Sequence, residues 1–168
     1  MAVQRVVLLR HAEKPADPKD PHLSPAGQAR AKMLATMIPE RFPNPGVLFA
    51  THNSNDSDRP EETLQPTADA LRMYLHHHFQ DAQYPALAAK LTDPAYDVTL
   101  AIVCWHHGEL PELTVKLGVP QAVVNATKPI LQPVPANGKG KWDPQAFDYF
   151  WILDFGAAGV TLTATQQQ

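Results

Sequence analysis

The sequence predicts an α/β fold, a mostly parallel sheet covered by helices on both faces, on three observations. The chain has 168 residues, the usual length of one domain, so we expect a single domain over residues 1–168. Apolar residues make up 44%, which is enough to bury a core. Apolar segments typical of strands alternate with segments typical of helices, the order that produces a parallel sheet. The predicted strands are 3–10, 47–50, 98–105, 150–155 and 159–163, the last at an edge.

The helices are predicted from capping residues, apolar periodicity and prolines. Ser24 and Pro25 are typical of an N-cap and a first helical residue. We expect this helix to run to about Ile38, where Pro39 and two later prolines end it. Three further helices are predicted at 60–77, 85–91 and 110–117. Two stretches are predicted to lack regular structure, the loop 120–144 and a frayed tail at 166–168.

Composition excludes several classes of protein. The net charge of −3 argues against nucleic-acid or anionic-membrane partners, and no apolar run approaches the length of a membrane span. The single cysteine excludes an internal disulfide framework and a Cys-rich zinc site. The first residues lack the cleavage pattern of a signal peptide, so a cytoplasmic protein is predicted. The run 76–78 of three histidines is interpreted as a solvated helix end rather than a metal site.

Cationic side chains follow three of the predicted strands. Arg10 and His11 end the first strand, Arg59 follows the loop after the second, and His106 and His107 end the long central strand. Because ligands of such sheets bind beyond the carboxyl ends of the strands, these segments are expected to meet in one crevice. Guanidinium groups bind phosphate oxygens, and a neutral imidazole is a nucleophile. A phosphate dianion therefore suits this group of residues better than other common small ligands.

Five segments, in order, resemble one protein family, the histidine phosphatase superfamily, which includes the phosphoglycerate mutases. They are Leu9–Lys14 (Arg-His-Ala), Leu23–Ala31 (Leu-Ser-x-x-Gly-x-x-Arg-Ala), Arg59–Thr63 (Arg-x-x-x-Thr), Ile102–Gly108 (an apolar strand with His-Gly) and Trp151–Asp154. The resemblance implies a short, single-domain member of that family. It also implies a three-layer α/β/α sandwich whose mostly parallel sheet has an antiparallel edge strand.

The resemblance implies a phosphatase that hydrolyses a phosphate monoester through a phosphohistidine. His11 would attack phosphorus, while Arg10, Arg59 and His107 hold the phosphate oxygens. Lys14 either adds positive charge near the substrate or is simply solvated, and both interpretations stay open. His107 is chosen over His106 because a glycine follows it. No cofactor or metal is implied, since the arginines supply the positive charge, and the substrate would be a small phosphorylated molecule.

The acid that protonates the leaving oxygen is assigned to Glu109, which lies two residues after His107. Glu13, Asp56 and Asp58 are the alternatives.

Three other functions stay open. The chain could be a phosphomutase, or a phosphate- or phosphopeptide-binding module that has lost catalysis. A metal-dependent hydrolase is the third, although no His-x-x-x-His spacing occurs. The loops 52–58 and 120–147 are expected to set the substrate.

Overall fold

The computed structural model describes residues 2–167 and confirms the predicted fold class. Within these residues five helices and six strands follow one another, with a short 3₁₀ turn at Asp81–Gln83. In order they are β1 Arg5–Arg10, α1 Pro25–Arg41, β2 Val47–Ala50, α2 Arg59–Leu71, β3 Leu75–His76, α3 Tyr84–Thr92, β4 Leu100–Trp105, α4 Leu110–Lys116, α5 Gln121–Asn125, β5 Tyr149–Gly156 and β6 Gly159–Gln166.

The strands form one sheet in the order β3-β2-β4-β1-β5-β6. The first four are parallel, and β5 and β6 pair antiparallel at one side. Strand β4 is buried along its whole length and β1 from Val6 onwards, as expected for central strands covered on both faces. The sandwich with antiparallel pairing at its edge is therefore confirmed.

Two apolar layers enclose the sheet. On one face Leu34 of α1 and Leu64 of α2 pack with Leu9 of β1. On the other face residues of α3, α4 and α5, among them Leu110, join Trp105 of β4. Because β1 and β4 contribute alternate residues to the two layers, the carboxyl ends of these strands are fixed from both sides.

Helix α1 begins as predicted but ends later. The Ser24 hydroxyl accepts a hydrogen bond from the Gly27 amide, and Pro25 is the first helical residue. The prediction that Pro39 ends the helix is wrong, since α1 continues to Arg41. Proline removes one hydrogen-bond donor, and near a helix end that costs a single intrahelical bond.

The predicted helix 60–77 is too long. Helix α2 ends at Leu71, and Arg72 adopts a left-handed conformation with φ 54°. The chain then forms β3, in which Leu75 is buried and pairs with Leu48 of β2. His76 is consequently the last residue of this short strand, His77 and His78 follow it, and their assignment to a helix end is wrong.

The last residues also differ from the prediction. Strand β6 extends to Gln166, and Gln167 is buried, where its amide donates to the Asp148 carbonyl. These two residues are therefore not a frayed tail, while Gln168 lies outside the described residues. The stretch 120–144 is mainly loop, as predicted, apart from α5 and an isolated bridge between Ile130 and Trp142. Across residues 2–167, no helix is long and apolar enough to cross a membrane.

Candidate active site

Two histidines leave neighbouring parallel strands at the same level. Arg10 pairs with Trp105 in the β1–β4 register, and the His11 amide donates to the Trp105 carbonyl at 3.2 Å. His11 and His106 are therefore the first residues beyond their strands. Their ring centroids lie 5.3 Å apart, with the rings inclined by 69°.

His11 has the protonation state of a nucleophile. Its side chain is buried, and Nδ1 lies 2.7 Å from the Ala12 carbonyl. A carbonyl only accepts hydrogen bonds, so Nδ1 carries the proton and the lone pair lies on Nε2. Burial is the largest cause that lowers the pKa of His11, to about 2, and the nearby charges of Arg10 and Arg59 lower it further. The imidazole is consequently neutral at physiological pH.

Thr63 fixes the backbone next to His11. Its buried hydroxyl accepts from the Ala12 amide at 2.9 Å and donates to the Arg59 carbonyl at 2.7 Å. The Arg-x-x-x-Thr segment thus connects the start of α2 to the residue after His11. This contact explains why a threonine is suited to that position.

Arg10 is a buried guanidinium with two donors to spare. Its Nη1 donates to the carbonyls of Pro144 at 2.7 Å and Ala146 at 3.2 Å, and its Cζ lies 3.8 Å from the Phe147 ring centroid. Nε and Nη2 are buried, yet neither has a hydrogen-bond acceptor among the described residues. Burial is the main cause that lowers the pKa of Arg10 to about 10. Unpaired donors of a buried cation favour an anionic ligand.

Arg59 is held by the loop before α1. Its Nε donates to the His22 carbonyl at 3.1 Å, and Nη2 donates to the Asp20 carbonyl. Nη1 makes a long contact of 3.5 Å with the Ser57 hydroxyl. The charge of Arg59 nevertheless lowers the pKa values of His11 and His106, so it lies close to both. The structure brings Arg59 to the site with its donors engaged by the protein.

The two adjacent histidines face different surroundings. His106 makes the ring contact with His11, whereas His107 lines the pocket beside it. Burial lowers the pKa of each to about 4, with Arg10 contributing to both. The sequence analysis assigned His107 to the site because Gly108 follows it. The predicted strands 3–10 and 98–105 are followed directly by His11 and His106, which accounts for the ring contact between these two residues.

Lys14 is exposed, and its ammonium group is close enough to His107 to lower the pKa of that imidazole, after burial and Arg10. It therefore lies on the rim of the site.

Of the predicted carboxylates, Glu13 has a structural partner. It forms a multiple ion pair with Arg30 of α1, with a shortest distance of 2.6 Å from Nη2 to Oε1. The backbone of Glu13 also approaches Gly27 so closely that a Cβ there would lie 2.3 Å from its carbonyl oxygen. The Leu-Ser-x-x-Gly-x-x-Arg segment therefore fastens the chain just after His11 to helix α1.

The other predicted carboxylates lie around the site without touching its centre. Asp56 is exposed, and Asp58 is the residue before α2. Glu109 precedes α4, and partial burial is the main cause that raises its pKa. Sequence reasoning missed Asp81, whose pKa burial raises to about 6 with the help of Glu109. Within residues 2–167, none of these carboxylates is hydrogen-bonded or ion-paired to His11 or Arg10.

One group of side chains has ligand spacing for a metal ion. In the described part of the chain, His22, Asp58 and Glu62 place one ligand atom each within 4.8 Å of the others. His22 Nδ1 lies 2.6 Å from a Glu62 oxygen, whose partner oxygen accepts from the Leu23 amide at 2.8 Å. These contacts fasten the loop before α1 to α2. The histidines at 76–78 form no such group.

A pocket of about 440 Å³ opens next to the histidines. Its lining consists of His107 and Gly108, residues at the start of α4, and the loop that carries Trp142 and Pro144. The loop 120–147, expected to set the substrate, thus forms one wall of this pocket.

Solved structures share the fold over nearly the whole chain. The SixA protein of Agrobacterium tumefaciens, provisionally described as a phosphohistidine phosphatase, matches with a TM-score of 0.61 and 19% identity, over 95% of this chain and 96% of its own. Mycobacterial glucosyl-3-phosphoglycerate phosphatase matches with a TM-score of 0.60 and 13% identity, over 98% of both chains. Phosphoglycerate mutase from Plasmodium falciparum matches with a TM-score of 0.58 and 13% identity, over 97% of this chain and 90% of its own.

These likenesses define the class of fold. The chain has the phosphoglycerate mutase-like fold that the sequence segments implied, and proteins of the histidine phosphatase superfamily share it. At identities below 20% the likeness is one of fold. No protein-family model matches the chain, and no curated protein matches it by sequence.

Proposed function

We propose that this protein is a phosphatase of the histidine phosphatase superfamily that hydrolyses a small phosphate monoester without a metal ion. The observation that carries the proposal is the juxtaposition of His11 with the spare donors of Arg10. His11 offers a neutral Nε2, and Arg10 offers buried N–H groups that lack acceptors among residues 2–167. A tetrahedral phosphate between them would satisfy those donors and present phosphorus to the imidazole.

The proposed reaction has two steps. In the first, His11 Nε2 attacks phosphorus, the bond from phosphorus to the leaving oxygen breaks, and an acid gives that oxygen a proton. The product is a phosphohistidine. In the second step, the same carboxylate removes a proton from water, the water oxygen bonds to phosphorus, and the phosphorus–nitrogen bond breaks. Phosphate leaves and His11 is regenerated.

The surrounding side chains are proposed to stabilise the phosphoryl group during transfer. Arg10 would bind phosphoryl oxygens directly, and His106 and His107 would donate from the adjoining strand end. Arg59 would contribute its charge while its hydrogen bonds hold the loop at Asp20 and His22 in place. Lys14 would add charge at the rim.

The acid is proposed to be Glu109, and Asp81 is the competing candidate. Both carboxyls have raised pKa values, which suits a group that must donate a proton near neutral pH. Glu109→Gln and Asp81→Asn, made separately, distinguish them. In the first step, which kcat/KM reports, the acid's replacement should cost far more with a poor leaving group than with nitrophenolate, which needs no proton. The second step should slow for every substrate, since the same carboxylate activates the water.

Known ligands of the structural neighbours agree with an oxyanion site. SixA has been solved with tungstate, and the mycobacterial phosphatase with inorganic phosphate and with vanadate. These ions have the shape and charge of phosphate or of its transition state. We propose that a phosphate group of the substrate binds to His11 and Arg10 in this chain.

The test is hydrolysis of 4-nitrophenyl phosphate in the presence of EDTA, with His11→Ala and the matched variant His52→Ala. We expect turnover by the wild type and His52→Ala and none by His11→Ala. An acid-labile, alkali-stable phosphoenzyme should form on His11 alone. Loss of activity in EDTA, or full activity of His11→Ala, would contradict the proposal.

A phosphate-binding module without turnover is the second candidate. It is favoured by one observation, that no carboxylate in the described chain forms a hydrogen bond or an ion pair with His11 or Arg10. Phosphate would then stabilise the protein against heat in an Arg10-dependent way, while a broad panel of phosphate esters would show no hydrolysis.

A further inference from the structure

We infer that the pocket beside His107 receives the leaving group of the substrate and selects esters whose leaving group carries a second negative charge. The inference rests on the proposed function, because it assumes that a phosphoryl group lies between His11 and Arg10. It names the class of substrate: a small phosphate monoester that also bears a carboxylate or a comparable anion.

The position of the pocket supports this assignment. Its lining includes His107, which follows the residue in ring contact with His11. The lining also includes Pro144, whose carbonyl accepts the hydrogen bond from Arg10. A group that leaves a phosphate held by Arg10 therefore has this pocket directly alongside.

The charges in the pocket favour an anion. Lys139 and Lys141 both line it. Lys139 is paired with Glu112, with 3.4 Å between Nζ and Oε1. The ammonium group of Lys141 makes no hydrogen bond or ion pair with any residue from 2 to 167. One lysine is thus neutralised within the pocket wall, and the other remains available to a ligand.

The rest of the lining suits a small organic body. Trp142, Pro111 and Leu131 provide apolar surface, and Leu131 is 45% exposed although it is a large aliphatic residue. A volume of about 440 Å³ lies within the range of small-molecule sites. The pocket is therefore large enough for the organic part of a metabolite-sized phosphate ester.

The loop that carries the two lysines is held in place. The side chain of Asn125 donates to the Gly138 carbonyl and accepts from the Gly140 amide, both at 2.8 Å. Gly140 is also packed so closely that a Cβ would lie 2.5 Å from Ile130 Cγ2 and 2.9 Å from Asn125 Oδ1. Trp142 is fixed by a hydrogen bond from Nε1 to the Ala146 carbonyl at 3.0 Å. The lysines are therefore presented by a structured loop, which reduces the ordering cost of binding.

The experiment measures binding without relying on turnover. Calorimetry compares phenylphosphonate, which cannot be hydrolysed at its carbon–phosphorus bond, with the three isomers of carboxyphenylphosphonate. We expect at least one isomer to bind roughly two- to fivefold more tightly than phenylphosphonate, the range of an exposed ion pair. The preference should weaken with added salt. Lys141→Met should remove most of it, and Lys32→Met, a matched change of an exposed lysine on α1, should retain it.

The outcomes separate this inference from the proposed function. Equal binding of all four phosphonates, or a preference that Lys141→Met leaves intact, overturns the inference while 4-nitrophenyl phosphate hydrolysis still supports a phosphatase. A preference lost in Lys141→Met without any ester hydrolysis supports the pocket assignment and contradicts the phosphatase. Because Lys141 is exposed, its replacement is not expected to unfold the protein, which a thermal melt of each variant checks.

Discussion

Replacing Arg10 by Met tests whether the Arg10 guanidinium serves to bind an anionic ligand or to stabilise the fold. Burial without enough partners lowers the Arg10 pKa from 12.5 to about 10, which corresponds to about 3 kcal/mol at about 1.4 kcal/mol for each tenfold change. Arg10→Met removes this unfavourable charge but also two hydrogen bonds to carbonyls and the stacking on Phe147. Those contacts are together worth about 3–4 kcal/mol. The two effects nearly cancel, so the free energy of unfolding without anion should change by less than about 2 kcal/mol.

Inorganic phosphate should raise the free energy of unfolding of the wild type but not that of Arg10→Met. A ligand at about 100 times its dissociation constant adds about 2.7 kcal/mol to the stability of a protein that binds it only when folded. Urea unfolding with and without phosphate should show such an increase for the wild type and almost none for Arg10→Met. Arg41→Met is the matched control, since Arg41 also donates to a carbonyl, that of Gln166, and lies over an aromatic ring, that of Phe150. It should keep the phosphate effect.

One result would refute this reasoning. If Arg10→Met lost more than about 3 kcal/mol without anion and still gained stability from phosphate, Arg10 would be a structural residue and the anion would bind elsewhere.

Three further predictions follow from the packing and the charges around the site. Gly27→Ala, whose Cβ would lie 2.3 Å from the Glu13 carbonyl oxygen, should cost about 1–3 kcal/mol in urea unfolding and reduce phosphatase activity. Gly156→Ala, where the nearest atom lies at 3.7 Å, should change neither, and equal effects of the two would contradict the close packing. Thr63→Val leaves the buried amide after the nucleophile without an acceptor and should cost about 1–3 kcal/mol, whereas Thr63→Ser should keep most of the activity. The site histidines have pKa values lowered below 6.5, so the unfolded chain takes up protons first and stability should fall as the pH drops from 7 towards 5. The destabilisation caused by His106→Asn should therefore shrink over that pH range, and a constant difference from wild type would show that His106 is not held neutral.

Much of the fold could be predicted from local sequence. The buried strands β1 and β4 are long apolar runs, and the start of α1 is set by Ser24 and Pro25, so their signals lie within a few residues. The end of α2 could not be predicted in this way. Arg72 adopts a left-handed conformation without being a glycine, and Leu75 becomes a strand residue only because Leu48 lies beside it in space.

The candidate site also has parts that the local sequence indicates and parts that depend on distant contacts. The segments that resemble the histidine phosphatases bring Arg10, His11 and Arg59 together, and the strand lengths identify His106 once the register is considered. The partners of Arg10 were not predictable, since Pro144 lies 134 residues further along the chain. Nor could the sequence show that Arg59 donates to the carbonyls of the loop before α1. Such contacts depend on how loops fold back over the sheet.

The register between β1 and β4 has a consequence for how activity fails under stress. His11 and His106 extend directly from hydrogen-bonded strands at the centre of the molecule, so their separation persists until the whole protein unfolds. Arg10 depends instead on a distant surface loop, which can detach at a lower denaturant concentration. His11 and His106 should thus stay together after Arg10 has lost its loop partners, leaving an intermediate state that is folded but no longer holds the Arg10 guanidinium in place.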